Sequence, residues 1–283
     1  MKIDHESLTG TFEQQKAQVQ KFNLMDDDFF AVVMKHKEAF QVMLRILTGR
    51  DDLNVIEVRT QYTIRNIIGH SVILDGYAED QEHNLYNIEV QVRDNDYHPK
   101  RVRYYQSSTD LTMMEKGKKY KELPDLYLIF ISSFDWFKKG KNHYIVRRML
   151  DGFNEEVPNG VHELYFNTEV KDDTAISRLL QYFENSEPEN TEFGSLSKYV
   201  KYYKETEEGV KHMCQAVIEY GDEREKEGRN KGREEGRSEG KAENIVQTIS
   251  NIMANMKCSL EEALRLAGVT MEEYQNSLAL LES

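Results

Sequence analysis

SVILDGYAEDQEHNLYNIEVQV, residues 71–92, is the segment around which the rest of the chain is organised. It contains two segments, residues 72–78 and 86–92, whose successive side chains would point to opposite faces of a β-strand. The polar link between them contains Asp80 and Asn84, residue types that hydrogen-bond to their own backbone and so initiate turns. The stretch therefore predicts a β-hairpin.

Three polar side chains would lie close together in this hairpin. Asp75 belongs to the first strand, and Glu89 and Gln91 point to one face of the second. Two carboxylates and one amide that converge on a sheet can hold a divalent metal, because hard cations prefer oxygen ligands. The same three residues also fit a solvated strand face, so the hairpin alone leaves both interpretations open.

Length and composition predict one large domain with a smaller addition: the chain has 283 residues, of which 31% are charged. No apolar run approaches the roughly 18 residues that a membrane span needs, and the first residues are too polar for a signal peptide. Cys214 and Cys258 are far apart and form no metal-binding spacing. We therefore expect a soluble, cytoplasmic protein without a disulfide framework.

The charge of the chain is unevenly distributed. A net charge of −13 argues against a protein that coats nucleic acid. Basic residues nevertheless cluster in the middle of the chain, at Lys100, Arg101, Arg103, Lys116, Lys118, Lys119, Lys121, Lys138, Lys139, Lys141, Arg147 and Arg148. They form either an ordinary solvated surface or a basic face beside an acidic metal site, where phosphates could bind.

The remaining pattern predicts helices on each side of a mixed sheet. Further strands are expected at residues 53–63, 126–131, 143–148 and 161–166, and helices at residues 38–47, 100–114, 174–183 and 196–220. The triplet Asp26, Asp27 and Asp28 precedes another apolar helical run. These carboxylates either cap that helix or contribute to the metal site.

The sequence changes character after residue 220, where Gly228, Gly232, Gly236 and Gly240 recur among Glu, Lys and Arg. This spacing predicts a long exposed helix that serves as a spacer or as a close-packing seam for a second copy. The spacer is favoured because no heptad core runs through the segment.

The last forty residues regain short amphipathic helices, with Ile245, Ile249, Ile252 and Met256 on one face and Leu264 and Leu266 packing in the next helix. A module of this size would be marginal alone, so we expect it to pack on a partner or on itself as a homo-oligomer. Reading of DNA by a helix-turn-helix fits poorly, because the second helix offers only Arg265 to bases or phosphates.

Several short motifs occur in a characteristic order along the chain. They are Asp27-Asp28-Phe29-Phe30, Leu74-Asp75, Ala78-Glu79-Asp80, Tyr86-Asn87-Ile88-Glu89-Val90-Gln91, Arg101-Val102-Arg103-Tyr104-Tyr105, Tyr120-Lys121-Glu122-Leu123-Pro124 and the glycine repeat. In this order they resemble the Rpn family of recombination-promoting nucleases, often labelled transposases, of the PD-(D/E)XK nuclease superfamily. Each motif alone is common, and their order and spacing make the resemblance specific.

The resemblance implies an α/β fold, a restriction-endonuclease-like mixed sheet flanked by helices and followed by a helical C-terminal extension. It implies an endonuclease that hydrolyses DNA phosphodiester bonds with Mg²⁺ in recombination, mobile elements or phage defence. Asp75 and Glu89 would bind the metal, with the Val90 carbonyl as a further ligand. Asp27 and Asp28 would support the metal site through water.

Gln91 stands where the superfamily signature has Lys, so it can hold a water or phosphate oxygen but carries no charge. The catalytic set implied is therefore Asp75, Glu89 and Gln91, with positive charge lent by Arg93, Lys100 or Arg103. The residues expected to contact DNA are Arg93, Lys100, Arg101, Arg103 and Tyr104.

The expected organisation is a polar leader at residues 1–23, a nuclease-like domain at 24–220, a Gly/Glu/Arg-rich helical linker at 221–243 and a helical module at 244–283. The alternative to an enzyme is a nuclease fold without catalysis that assembles through its C-terminal helices. A transposase proper finds little support, since no second DNA-recognition module is evident.

Overall fold

The computed structural model describes residues 5–64, 71–93, 99–114 and 117–282. It forms two compact units, Met1–Ile218 and Glu219–Ser283. No helix in the part of the chain that the structure describes is both long and apolar enough to cross a membrane.

The first unit contains the mixed sheet expected from the sequence. Its strands and a separate small hairpin are β1 (Val55–Ile64), β2 (Val72–Asp80), β3 (Leu85–Gln91), β4 (Leu126–Ser132), β5 (His143–Val146), β6 (Met149–Leu150), β7 (Glu155–Glu156) and β8 (Val161–Asn167). The six-stranded sheet has the order β1-β2-β3-β4-β8-β5, and β6 pairs with β7. The β3-β4 and β4-β8 pairs are parallel and the others antiparallel, which confirms a mixed sheet.

Helices flank this sheet and continue into the second unit. They are α1 (His5–Leu8), α2 (Phe12–Val19), α3 (Asp27–Met34), α4 (Lys37–Thr48), α5 (Pro99–Met113), α6 (Ala175–Asn185), α7 (Ser195–Glu205), α8 (Glu207–Met256), α9 (Leu260–Ala267) and α10 (Met271–Glu282). Helices α3 and α4 contact β1, and α5 contacts β1 and β4. Within the expected leader, Val19 and Phe22 are buried.

The central hairpin has the predicted turn chemistry. Asp80 Oδ1 accepts hydrogen bonds from the backbone N–H groups of Glu82 at 2.9 Å and Asn84 at 3.0 Å. The other oxygen, Oδ2, accepts the hydroxyl of Tyr86 at 2.7 Å and lies 3.2 Å from Arg50 Nη1. The Asp80 side chain thereby closes the turn and fixes where β3 begins.

Strand β3 is more deeply buried than an alternating surface strand, since all its residues except Gln91 are buried. On the α5 side, Leu74, Val102 and Leu128 belong to one hydrophobic cluster. At Gly76, a Cβ atom would lie 3.0 Å from the ring of Phe40, so the missing side chain lets α4 approach β2. The hairpin is therefore the centre of the fold.

The expected single helix over residues 196–220 is wrong at its centre. Thr206 has extended backbone angles, φ −86° and ψ 146°, and separates α7 from α8. Its hydroxyl accepts the Gly209 N–H at 3.0 Å and so caps the start of α8. Helix α8 then runs on through the glycine repeat as one element of 50 residues.

The second unit has a small core around Ile249, Ala263 and Leu264. Leu266 was expected to pack there but is 49% exposed, because two helical residues place it about 200° around α9 from Leu264. Met256 is likewise exposed, so this end of the helix face that it shares with Ile249 is not buried. The next residue, Lys257, has φ +49° and turns the chain out of the helix.

Candidate active site

The strand that carries Asp75 departs from β3 at this residue. The last backbone pair between β2 and β3 is Gly76 with Ile88. One position beyond it, Asp75 Oδ2 accepts the backbone N–H of Val90 at 2.8 Å. The carboxylate thus replaces a backbone acceptor and fixes Asp75 beside the residues that follow Ile88.

Gln61 lies opposite Asp75 on β1, between the pairs Thr60–Gly76 and Tyr62–Leu74. Its φ of +50° is in the left-handed region, which is uncommon for a residue other than glycine. Its side chain hydrogen-bonds to Asp75 and opposes part of the rise that burial causes in the pKa of that carboxyl. Sequence reasoning missed Gln61, because no periodicity marks a strand residue with this conformation.

Glu89 is the second acid of the site and is only 2% exposed. One oxygen, Oε2, lies 3.1 Å from Arg101 Nη2. The other, Oε1, is buried and has no hydrogen-bond partner among the described residues. A buried carboxylate oxygen without a partner is unfavourable, so this atom marks a place where a further group can bind.

Arg101 comes from α5 and is held in place by Tyr105. Its Nε donates to the Tyr105 hydroxyl at 2.7 Å, and its guanidinium carbon lies 4.9 Å from the centre of that ring. From the sequence, Arg93, Lys100 or Arg103 is expected to supply positive charge to the site, and Arg101 is expected to contact DNA. In the structure Arg101 pairs with Glu89, whereas Lys100 and Arg103 are exposed on α5.

Burial raises the proton affinity of both acids. Burial raises the pKa of Asp75 to about 7, opposed first by the Val90 N–H, and the charge of Asp27 adds to the rise. Burial and then the charge of Asp75 raise the pKa of Glu89 well above its ordinary value, opposed by Arg101. A cation in the cleft would therefore favour the state in which both carboxylates are ionised.

These groups face a cleft of about 450 Å³. Its lining combines the start of α3, the ends of β2 and β3, and Arg101, and consists of Met25, Asp26, Asp27, Ile73, Asp75, Glu89, Val90, Gln91, Val92, Arg93 and Arg101. Asp27 thus shares the cleft with the acids, while Asp28 is buried outside this lining. Tyr104, another expected DNA contact, is 36% exposed on α5 and also lies outside it.

The acidic triplet does not cap α3 through Asp26. Asp26 occupies the cap position, but its carboxylate makes no hydrogen bond to the first turn of the helix. It accepts the N–H of Asn23 at 2.9 Å instead, and burial raises its pKa. The segment before α3 therefore places Asp27 at the cleft.

The donor set of this cleft fits a hard divalent cation. Within the described residues, no group of three or more His, Cys, Asp and Glu side chains could hold a metal ion. The available donors are instead the two carboxylates of Asp75 and Glu89, with Val90 alongside in the lining. Mg²⁺ is commonly bound by one or two carboxylates with several waters retained, and the unpartnered Glu89 Oε1 offers such a ligand atom.

Comparison with protein families gives a match in this region. Residues 29–157 match the family model described as PD-(D/E)XK nuclease family transposase. The matched segment contains Asp75, Glu89, Gln91 and Arg101. Neither the comparison with curated proteins nor that with solved structures gives a match.

Proposed function

Since residues 29–157 match the family model described as PD-(D/E)XK nuclease family transposase, we propose that the chain is a metal-dependent endonuclease that hydrolyses DNA phosphodiester bonds. The observation that carries this proposal is the buried Asp75–Glu89 pair, whose oxygen Glu89 Oε1 is unpartnered beside an open cleft. We place the activity in the cytoplasm, in recombination, mobile elements or phage defence.

Asp75 and Glu89 would hold the cation, with Val90 beside them. When bound, a divalent cation neutralises charge on a phosphate and lowers the pKa of a bound water. Mg²⁺ suits this cleft because those of its lining residues that the structure describes offer carboxylates and no His or Cys. The Val90 N–H and Gln61 fix the orientation of Asp75 before any ligand arrives.

Arg101 would supply the positive charge that Gln91 cannot provide. A guanidinium stays protonated throughout the working pH range, and Tyr105 restricts its position. It compensates part of the charge of Glu89 and lies in the lining of the same cleft as Gln91. Gln91 then has a polar role only, holding a water or a phosphate oxygen.

Cleavage of DNA tests this proposal directly. Supercoiled plasmid and a labelled duplex are incubated with the purified protein and Mg²⁺, Mn²⁺, Ca²⁺ or EDTA. We expect metal-dependent cleavage that Asp75→Asn and Glu89→Gln each abolish, because both variants keep the shape of the side chain and remove its charge. Glu79→Gln, on the same strand and outside the cleft lining, serves as the control. Cleavage at the wild-type rate by Asp75→Asn would overturn the assignment.

A second function, assembly through the C-terminal helices, rests on a different observation. In the second unit several large apolar side chains are between 40% and 62% exposed, namely Met256, Leu266, Met271, Leu280 and Leu281. Where such side chains adjoin one another, they provide an apolar surface for association. We propose that this unit forms a homo-oligomer, either beside nuclease activity or in its place.

Light scattering on the full chain tests the association. The mass of the wild type is compared with that of a Leu280→Lys, Leu281→Lys double variant over a range of concentrations. A multimeric wild type and a monomeric variant are expected. Monomers in both samples would remove the association proposal and leave the nuclease proposal untouched.

A further inference from the structure

The basic clusters around β4 are at opposite ends of that strand. Lys118, Lys119 and Lys121 precede it, and Lys138, Lys139 and Lys141 follow it. Strand β4 runs parallel to β3 and pairs Ser132, its last residue, with Gln91. At about 3.3 Å per residue the two lysine groups are separated by roughly 20 Å of strand. Only the second group lies at the end of the sheet that carries the candidate active site.

The segment with the second group, residues 133–142, is called here the lysine loop. It is attached directly to the strand that carries Glu89. The Ser133 N–H donates to the Gln91 carbonyl at 2.9 Å, and the Ser133 hydroxyl donates to the Val92 carbonyl at 2.7 Å. Val92 lines both the active-site cleft and a second cavity of about 600 Å³, which Lys138 also lines. The lysine loop therefore forms a wall next to the cleft.

One buried carboxylate organises the lysine loop. Asp135 accepts the backbone N–H groups of Lys138 at 3.0 Å and Gly140 at 2.7 Å, as well as the Tyr144 hydroxyl at 2.8 Å. These hydrogen bonds outweigh desolvation and lower the pKa of Asp135, so it stays ionised and keeps this structure at neutral pH. The ring of Trp136 lies 5.7 Å from that of Tyr165 in β8, which anchors the loop on the sheet.

The three lysines point their charge to solvent from this fixed backbone. All three are exposed, and none forms an ion pair with a residue that the structure describes. Lys138 has φ +54°, where glycine or asparagine is usual. The acids of the second cavity, Asp135 and Glu169, are occupied by hydrogen bonds from the loop's own N–H groups. The outer surface of the loop is thus positively charged.

We propose that the lysine loop binds backbone phosphates of duplex DNA adjacent to the cleft. The inference rests on the proposed nuclease function, which it extends by a binding surface. Lysine binds phosphate as a point charge, and phosphate contacts do not distinguish DNA sequences. The loop would therefore contribute affinity and position rather than sequence specificity. A loop that is already ordered loses little freedom on binding, which favours its use as a contact surface.

The test compares two triple variants of the full chain. One carries Lys138→Ala, Lys139→Ala and Lys141→Ala, and the matched control carries Lys118→Ala, Lys119→Ala and Lys121→Ala. Both remove three exposed lysines next to β4 and change the net charge equally. Binding of a labelled duplex is measured by fluorescence anisotropy in EDTA, where no metal-dependent cleavage interferes, at several KCl concentrations.

The first variant should bind about tenfold more weakly or worse. Its dependence of log Kd on log salt should be shallower by up to about 2.7, since each of three phosphate contacts contributes roughly 0.9. The control should stay within about twofold of the wild type. Equal losses in both variants, or no loss in the first, would overturn the inference. A variant with three Lys→Arg changes at 138, 139 and 141 should bind like the wild type, and its failure to do so also counts against phosphate binding.

Activity separates this inference from the proposed function. A protein that cleaves DNA while the lysine-loop variant binds normally overturns the binding surface alone. A wild type that binds through the loop but never cleaves, under any of the metals, removes the nuclease proposal and leaves the binding surface standing.

Discussion

Asp75 Oδ2 accepts the backbone N–H of Val90 at 2.8 Å, one position beyond the last backbone pair of β2 and β3. In this bond the Asp75 carboxylate takes the place of a backbone carbonyl acceptor. It is close enough to Glu89 for its charge to raise the pKa of that group. Burial then raises the pKa of both carboxyls. Charge at this site is therefore unfavourable to the metal-free fold, and stability and function are expected to oppose each other here.

The pH dependence of stability follows from that opposition. The pKa of Asp75 is about 7 in the folded chain, whereas the unperturbed value, which applies to the unfolded chain, is 3.8. The native protein therefore holds this proton more tightly than the unfolded chain. The contribution of Asp75 is thus fully present at low pH and is lost as pH rises towards about 7. Glu89 acts in the same direction. The Asp75→Asn variant should lose much of this pH dependence and be more stable than the wild type at about pH 8.

Urea unfolding in EDTA between about pH 5.5 and 8 measures this difference, with Asp52→Asn, an exposed residue, as the control. A wild type whose free energy of unfolding rises over that range relative to Asp75→Asn would contradict the burial of an ionisable Asp75.

Arg101 is expected to be needed for cleavage although it was not assigned to the carboxylates from the sequence. Arg101→Met leaves Glu89 without its cation and should lower the single-turnover rate about 100-fold, the usual scale for loss of one electrostatic contact in an active site. Because Arg101 opposes the raised pKa of Glu89, the pH profile of the remaining activity should move to higher pH. A merely structural loss of Arg101 would lower the rate without that displacement.

Arg103→Met is the matched control for this experiment, since Arg103 is exposed two residues further along α5. Arg101→Lys should recover part of the activity, because Lys keeps the charge but cannot contact Glu89 and Tyr105 with a fixed fork. Equal activity of Arg101→Met and Arg103→Met would remove Arg101 from the site.

The hairpin and the sheet could be predicted because their signals are local. Alternation over residues 72–78 and 86–92 and the continuous apolar run at 126–131 correspond to β2, β3 and β4. Gly49 ends α4 in the left-handed conformation, with φ +68°, as its position after a periodic segment predicts. Hydrophobic periodicity and the residues that end a helix or strand depend on neighbouring positions, so they can be recognised in a single sequence.

The arrangement of charge in the site could not be predicted in the same way. Arg101 is twelve residues from Glu89 in sequence, and only the position of α5 on the sheet decides that it, and not Lys100 or Arg103, meets the carboxylate. The break at Thr206 was also missed, because residues on both sides favour helix and the cap contact decides the boundary. The two lysine groups around β4 look alike in sequence and are separated only by the strand between them.

Gln61 provides a test of strain at the site. A left-handed conformation is unfavourable for glutamine, so Gln61→Gly should stabilise the fold or leave it unchanged, with about 1 kcal/mol as the upper expectation. The same change removes the hydrogen bond from Gln61 to Asp75. Because this bond opposes the raised pKa of Asp75, its loss should leave less of the ionised carboxylate at neutral pH, and activity should fall. Gln61→Asn tolerates the conformation with a shorter amide and should be intermediate.

Thermal unfolding and cleavage measured on the same samples distinguish the two effects. Loss of both stability and activity in Gln61→Gly would show that the side chain, rather than its hydrogen bond to Asp75, holds β1 in place.

Replacement of the glycines in α8 distinguishes the two roles predicted for the repeat, a spacer and a packing seam for a second copy. A Cβ atom at Gly228, Gly232, Gly236 or Gly240 would meet nothing within 4 Å. Replacing all four by Ala should therefore stabilise the helix by about 1 kcal/mol per site without a clash in the single chain. If the repeat is a spacer, the four-Ala variant should keep more helicity than the wild type at elevated temperature, as measured by circular dichroism. Its mass in solution should be unchanged. If a second copy packs on the glycines, the added methyl groups block close approach and the mass falls towards the monomer, because small residues allow helix backbones to approach each other only while they stay small.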